Sequence, residues 1–464
     1  MKLTYRYIAR IVLEAETGLF VGSGEASLLK DALVQKDHHG LPMIQGASLS
    51  GVLRHAIEDA NSDTNAWEEL FGFQKKDTGV GSRLRVSSAY MMVNESSVAE
   101  GLNFSIDDKV NNVKTNYENL PSRQHVRISE KGVAQKNGLF DNEVVYKGTR
   151  FLFELELKGT EEDTARWNKL LKTLYSPLFR IGQGTRNGYG KLKVLSLKSK
   201  VFNLNDEKDF DTYLHFDPSF NAPNSCLAEV KLEVSGLGID MESYTLQLKP
   251  DNFFIFGAGA GDDEVDNKPV EEEVAKYRND TIEFEKQTLI PASSIKGALA
   301  HRTAFHYNKL TGKFADNNEG DTGKENPAVN ELFGVEAKGK TGQRGRVILD
   351  DAYYSKSKVE DKIFNHVAID RFTGGAMDGA LFSEKVSVLK AETSFDLSIH
   401  VEKAKGSKGH KGNEGDEEEV LLALEEAMKD ICKGLLPLGG MTTKGHGIFT
   451  GELLKNDKPL FNYE

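Results

Sequence analysis

The chain opens in alternation. From Leu3 to Leu13 apolar and polar residues trade places with the period of a strand that buries one face, and the same texture returns around Tyr244 to Phe256. After each stretch the apolar spacing widens to three and four residues, predicting helices in "LSGVLRHAIED" behind Ser48 and "IKGALAHRTAF" behind Ser294. The two serine hydroxyls are placed to cap these helices, and the small Gly51 and Gly297 would let them pack closely. Two later helices are amphipathic: "EEDTARWNKLLKTLY", with Trp167, Leu170, Leu171 and Leu174 on one face, and "DEEEVLLALEEAMKDICKGL", with Leu421, Leu424, Met428 and Ile431. Each is followed by a glycine-rich loop and a last strand.

The pattern is written twice. "LFVGSG" at Leu19–Gly24 resembles "FIFGAG" at Phe254–Gly259, and "IQGASLSGVLRH" (Ile44–His55) resembles "IPASSIKGALAH" (Ile290–His301). "ELFG" recurs at Glu69 and Glu331, "SRLRVSSAY" (Ser82–Tyr90) is answered by "GRVILDDAY" (Gly345–Tyr353), and "HV" at His125 and His366 is followed by "LF" at Leu139 and Leu381. The repeat closes on "RIGQGTRNGYGKLKV" and "LGGMTTKGHGIFTG", where Gly182, Thr185, Gly188 and Gly190 fall in step with Gly439, Thr442, Gly445 and Gly447. Ordered self-similarity of this extent is the mark of duplication. Strand, helix, strands, helix, strand reads as βαββαβ, so the expectation is α+β: two tandem ferredoxin-like, RRM-like domains over residues 1–198 and 226–464, joined by a linker over 199–225 that loses periodicity. The run "EKAKGSKGHKGNEGDEEE" (Glu402–Glu419) reads as a solvated insertion.

Composition narrows the chemistry. The 464 residues carry 59 Lys and Arg against 71 Asp and Glu, a formal charge of −12, so any polyanion surface must be local. Two distant cysteines, Cys226 and Cys432, provide no disulfide framework or CxxC metal site, and a reducing cytoplasm is the natural compartment. No segment approaches a membrane span. The loop glycines follow a helix and precede a strand, the reverse of a dinucleotide fold. "GVEAKGKT" (Gly334–Thr341) matches the P-loop pattern but runs into a turn and strand instead of a helix, which argues against nucleotide binding.

Cations beside open backbone N–H groups suit a phosphate chain. Arg180, Arg186, Lys191 and Lys444 flank the glycine loops, so an extended nucleic acid is the implied ligand. Asp31 stands seven residues after Gly24, and Asp266 seven after Gly259. A carboxylate beside bound RNA can hold a divalent metal or orient a 2′-hydroxyl for attack on its neighbouring phosphate. Asp37, His38 and His39 in the first copy, and Asp262, Asp263 and Glu264 in the second, are alternatives. His125 and His366 lie in strand-like context and are acid–base or structural candidates. His301 and His306 miss the i, i+4 spacing of a zinc pair.

Taken together, "LFVGSG…KDALVQKD…GLPMIQGASLSGVLRH", "ELFGFQ", "RVSSAY" and "IGQGTRNGYGKLKV", with their second-copy counterparts, resemble the RAMP superfamily of CRISPR-associated proteins, and within it the backbone subunit of type III effector complexes. The resemblance implies RAMP domains with inserted thumb hairpins (Asn111–Tyr146 and Lys362–Val388), a palm that holds CRISPR RNA, a complementary single-stranded target RNA, and further effector subunits as partners. It also implies cleavage of the target by Asp31 and Asp266 with Mg2+ or Mn2+ as their metal. The implied RNA contacts are Gly22, Ser48, Arg54, Arg180, Gly182, Arg186, Gly188 and Lys191 in copy one, and Ser294, Lys296, Gly439, Lys444 and Gly445 in copy two. The family tends to follow its aspartate with Asn and Pro; "KDALV" has neither and "VDNKPV" inserts a lysine. A scaffold without chemistry, and a metal-independent endoribonuclease that processes guide RNA, are the alternative functions.

Overall fold

The computed structural model describes residues 2–28, 30–60, 64–102, 104, 108–129, 133–232, 241–313, 323–335, 342–390, 393–403 and 414–463. Most of the P-loop-like segment and residues 404–413 of the lysine-rich run lie outside them. In copy one, β1 (Tyr5–Ala15) runs antiparallel between β6 (Arg150–Gly159) and β7 (Leu192–Asn203), while β2 (Leu84–Val86) and β3 (Ala89–Met91) pair with the far edge of β6. Helices α1 (Gly46–Ala60) and α2 (Thr164–Thr173) cover one face. Copy two repeats this order. Its β8 (Met241–Pro250) lies between β15 (Phe395–Glu402) and β16 (Phe449–Lys455), β11 (Val347–Leu349) pairs with β15, and α4 (Ala292–Leu310) and α5 (Glu414–Cys432) cover the sheet. Both are ferredoxin-like α+β units, as the periodicity predicts.

The ladders keep the duplication in register. Leu13 faces Phe151 and Val194; Leu248, at the matched position, faces Phe395 and Gly451. Alternation puts Phe151, Phe153, Leu155 and Leu157 against the helices in one copy and Phe395, Leu397, Ile399 and Val401 in the other. Trp167, Leu170, Leu171 and Leu174 are buried as expected, and so are Leu424, Met428 and Ile431, while Leu421 is partly buried. Hairpins β4 (Ser122–Ile128) with β5 (Ala134–Glu143), and β13 (Val359–Ile369) with β14 (Ala376–Leu389), occupy the stretches expected to hold thumbs.

Three local expectations change. The helices begin at Gly46 and Ala292, so Ser48 and Ser294 sit within the first turn and do not cap it. The first N–H groups are taken instead by side chains from the strand region: Gly46 N–H donates to Ser88 Oγ (3.3 Å) and Ala292 N–H to Asp351 Oδ1 (2.8 Å). Beyond the helix's own backbone, no atom of the described residues lies within 4 Å of where a Cβ would stand at Gly51 or Gly297, so close packing does not explain them. The segment read as a linker starts inside β7, continues into α3 (Glu207–Leu214) and packs back on copy one.

The two copies share one seam. "EEEVAKYRNDTIEFEKQ", acidic in sequence, folds as hairpin β9 (Glu271–Arg278) with β10 (Thr281–Ile290), to which β12 (Ala352–Ser355) adds, and its Ala275, Tyr277 and Ile282 complete the core of copy one. Tyr277 Oη donates to Met92 O (2.9 Å), and Phe284 meets the rings of Tyr117 and Tyr146. At the centre, Arg123 grips both oxygens of Glu272 (2.6 and 2.7 Å), donates to Asp351 Oδ2 (2.6 Å) and covers the Tyr189 ring at 4.4 Å. Removing one partner of a buried ion pair leaves the other uncompensated, at a cost of roughly 3–5 kcal/mol. Arg123→Met should lower the unfolding free energy by about that amount in denaturant titration; a change below about 0.5 kcal/mol, the scale of an ordinary surface substitution, would contradict this picture of the seam.

Candidate nucleic-acid interface

The first glycine loop sits at the seam. Gly188 (φ 102°) pairs with Asp350, and a side chain there would run into the Asp351 carboxylate. Arg180 is buried and donates to Asp350 Oδ1 (2.6 Å), Lys191 pairs with Asp350 (3.0 Å), and Arg186 pairs with Glu402. These three cations therefore face carboxylates of the second copy and not an open groove, a correction of the simple reading of the loop. That arrangement has a physical logic: three cations of one copy and two carboxylates of the other compensate one another where the groups are largely buried. Arg54 donates to Gly72 O (3.3 Å).

Other candidates remain open. Gly22, Gly182, Ser294, Gly439, Lys444 and Gly445 are exposed, and Ser48 is half-buried. Lys296 donates to Asn187 Oδ1 (2.9 Å), tying α4 of copy two to the loop of copy one. Burial, and after it the neighbouring Arg186 guanidinium, pull the Lys296 ammonium down to about 8. Arg186 is already paired with Glu402, so Lys296 is the cation of the two that an anion would engage. Ser48 and Gly51, and Ser294 and Gly297, are three apart on α1 and α4, so each helix presents a hydroxyl beside a bare patch of backbone.

Asp31 and Asp266 are both exposed and both tied to the returning strand of their hairpin. Asp31 N–H donates to Asp141 Oδ1 (2.8 Å) and Asp141 N–H returns a bond to Asp31 Oδ2 (3.0 Å). In copy two, Ser383 donates to Asp266 Oδ2 through its N–H (2.7 Å) and its hydroxyl (3.0 Å). The Ser383 bonds hold the Asp266 carboxyl below the usual carboxylate range. Lys30 reinforces the first loop by donating to Glu143 Oε1 and Leu120 O, each at 2.8 Å. Asp141 and Ser383 occupy matched positions two residues beyond Leu139 and Leu381 in the "LF" blocks. Sequence reasoning saw the blocks but not this latch, because the partners lie 110 and 117 residues apart.

The alternatives near the aspartates have structural tasks. Asp37 Oδ1 accepts the His39 and Leu41 N–H groups, and Asp262 Oδ1 those of Glu264 and Val265, both turn-forming arrangements. His38 stacks on His39, whose Nε2 meets Gly101 O; Asp263 is exposed, and Glu264 pairs with Lys385. His125 meets Tyr189 Oη at 2.7 Å, and burial followed by the Arg123 charge lowers its pKa to about 4, so it stays neutral at ordinary pH. His366 bonds to the buried Glu384 (2.8 Å), and His306 joins Arg302 on Asp430, clamping α4 to α5.

Each hairpin also carries an exposed apolar pair across its ladder, Val126 with Leu139 and Val367 with Leu381. These side chains are 51%, 66%, 49% and 71% exposed. Among the described residues no cluster of three or more His, Cys, Asp or Glu side chains gathers. The loop and hairpin supply two carboxylates in copy one, Asp31 and Asp141, and a carboxylate with a hydroxyl in copy two. Mg2+ and Mn2+ take hard oxygen ligands and are often held by one or two carboxylates plus substrate phosphate and water. This donor set fits an ion shared with a bound phosphate. No described helix is long and apolar enough to cross a membrane.

Two ferredoxin-like units, each with a glycine loop, a hairpin and a latched aspartate, define a duplicated α+β protein of the RRM kind. The RAMP superfamily matches the chain over residues 12–193 and 254–450, one match per copy, and the chain belongs to that superfamily. Among solved structures, it is similar to a chain from "Type III-B Cmr-beta Cryo-EM structure of the Apo state", at 17% identity and a TM-score of 0.31, over 40% of this chain and 97% of that one. No curated protein matches it. The bare helix patches give a direct test. An interior glycine costs a helix about 0.5–1 kcal/mol relative to alanine, so Gly51→Ala and Gly297→Ala should each raise stability by that amount in thermal melts; a loss would mean the glycines are needed for packing after all.

Proposed function

We propose that the chain is a double backbone subunit of a type III CRISPR effector complex, which binds CRISPR RNA and cuts complementary target RNA at Asp31 and Asp266. The observation that carries this reading is the recurrence, in both copies, of an exposed aspartate latched to the returning strand of a hairpin that presents an apolar pair to solvent. The apolar pair suits a displaced base, since unstacked bases are held against apolar and aromatic side chains. The exposed glycines, the serines of the first helical turns, Lys296 and Lys444 suit a sugar-phosphate backbone running past them.

Next to a displaced nucleotide, the aspartate would orient the 2′-hydroxyl and take its proton as O2′ bonds to the adjacent phosphorus and the P–O5′ bond breaks. The products are a 2′,3′-cyclic phosphate and a 5′-hydroxyl, the latter protonated from water. The hairpin N–H holds one carboxylate oxygen in place, leaving the other toward the substrate. A bound Mg2+ or Mn2+ would stabilise charge on the phosphate. With His125 neutral against Tyr189, histidine acid–base processing of guide RNA is less well supported than cleavage at the aspartates.

In the assembled complex with Mg2+, Asp31→Ala and Asp266→Ala should each abolish one distinct cut in guide-complementary RNA while leaving binding intact. Persistence of every cut in the double variant would reduce the chain to a scaffold. Guide affinity should also fall as pH rises from 7 to 9, because Lys296 loses its proton near 8. Lys296→Arg should flatten that dependence in filter-binding titrations, and an identical slope in both proteins would remove Lys296 from the interface.

A further inference from the structure

The seam shows how one RAMP unit seats on the next: the glycine loop of copy one lies on the sheet face of copy two that points away from its helices. Glu402 and His400 are on that face, next to Asp350. A contact of this kind is head-to-tail, and a head-to-tail contact that does not close repeats without limit. The register of the ladders identifies the matching face on copy one: Glu154, Glu156 and Lys158 stand where copy two has Ser398, His400 and Glu402, and Tyr90 stands where it has Tyr353.

On copy one that face is already covered by the chain itself. Arg10, on the same face, pairs with Glu154 (3.0 Å) and donates to Ser219 O (2.8 Å) and Asp217 O (2.9 Å), with its guanidinium over the rings of Phe216 and Phe220. Tyr213 Oη reaches Glu156, Phe220 meets Tyr90, and Asn221 makes two bonds to the backbone of Val98. Ile8, Phe202 and Leu227 are buried beneath, with the partly buried Leu204 and Phe216 packed against them. Tyr353 meets Arg123 and Gly18 of the neighbouring copy; its counterpart Tyr90 meets the chain's own segment.

The charges have diverged in the same sense. Asp350, Asp351 and Glu402 become Ser87, Ser88 and Lys158 on the first face, and Arg180, Arg186 and Lys191 become Pro437, Thr443 and Ile448 in the second loop. We propose that residues 204–227 are a plug that closes the docking face of copy one, so the chain ends a row of RAMP units on that side. A row continues only from the loop Leu438–Gly447, exposed at Gly439, Gly440 and Thr443–Gly445, onto a ferredoxin-like unit whose sheet face lacks the acids of copy two. This inference does not depend on whether either aspartate cuts RNA.

Sedimentation velocity on the full chain tests it. Wild type should remain a single species as concentration rises, and so should a variant with the plug released by Phe216→Ser and Phe220→Ser. Releasing the plug and also transplanting the seam charges, with Ser87→Asp and Lys158→Glu on the face and Pro437→Arg and Thr443→Arg on the loop, should yield oligomers that grow with concentration and dissolve in high salt. Self-association of wild type, with cross-links between Arg150–Gly159 of one chain and Leu438–Gly447 of another, would overturn the proposal. A folded, recharged variant that stays single would overturn it too. Should that variant fail to fold, hydrogen exchange on wild type decides: the Phe220 and Leu227 amides should exchange at least about 100-fold slower than an unstructured chain, and free exchange would mean there is no plug.

Discussion

Arg123 organises the molecule. It rises from the hairpin of copy one, and four hydrogen bonds from its guanidinium reach Glu272 and Asp351, both from copy two, and Tyr353 beside them. Asp351 in turn accepts the first free N–H of α4, and Tyr353 accepts the Gly18 N–H of copy one. One guanidinium thus fixes the hairpin base, the start of the second copy's main helix and the entry to the first copy's aspartate loop. Arginine suits this task because its planar fork serves several carboxylate oxygens at once and keeps its charge when buried. Without it, two acids would share a dry site.

The seam also decides which cations remain for a ligand. Arg180, Arg186 and Lys191 carry their charge to the second copy, leaving a surface made mainly of glycine backbone, first-turn serines and two lysines. That resolves the tension between a net charge of −12 and a polyanionic ligand: affinity would come from N–H groups, hydroxyls and a few placed cations, with no broad basic field. Gly51 and Gly297 fit the same account, since each leaves a helix bare where no other described residue fills the space.

Most of the fold was legible in the sequence because its signals are local. Period-2 strands, amphipathic helices and repeated glycine loops show directly, and the duplication shows twice over. The seam was not legible: Arg123 and Asp351 are 228 residues apart, and "EEEVAKYRNDTIEFEKQ" carries its three core residues, Ala275, Tyr277 and Ile282, among charges that conceal them. The same distance hid the latch between Asp31 and Asp141. The aspartates were legible as a recurrence, but their attachment to the hairpins needed the topology. Ser48 and Ser294 do not cap because the competing acceptors, Ser88 and Asp351, come from the connection between two strands far along the chain.

The central claim is that RNA runs past the glycine loops, the first helical turns and the latched aspartates of both copies. Photo-cross-linking of 4-thiouridine-labelled guide RNA in the assembled complex, with the modified peptides read by mass spectrometry, tests that most directly. The account predicts cross-links in Gly22–Lys36, Gln45–Arg54, Ala292–Ala298 and Leu438–Gly447. Cross-links confined to the lysine-rich run at 402–419 or to the plug at 204–227 would contradict it.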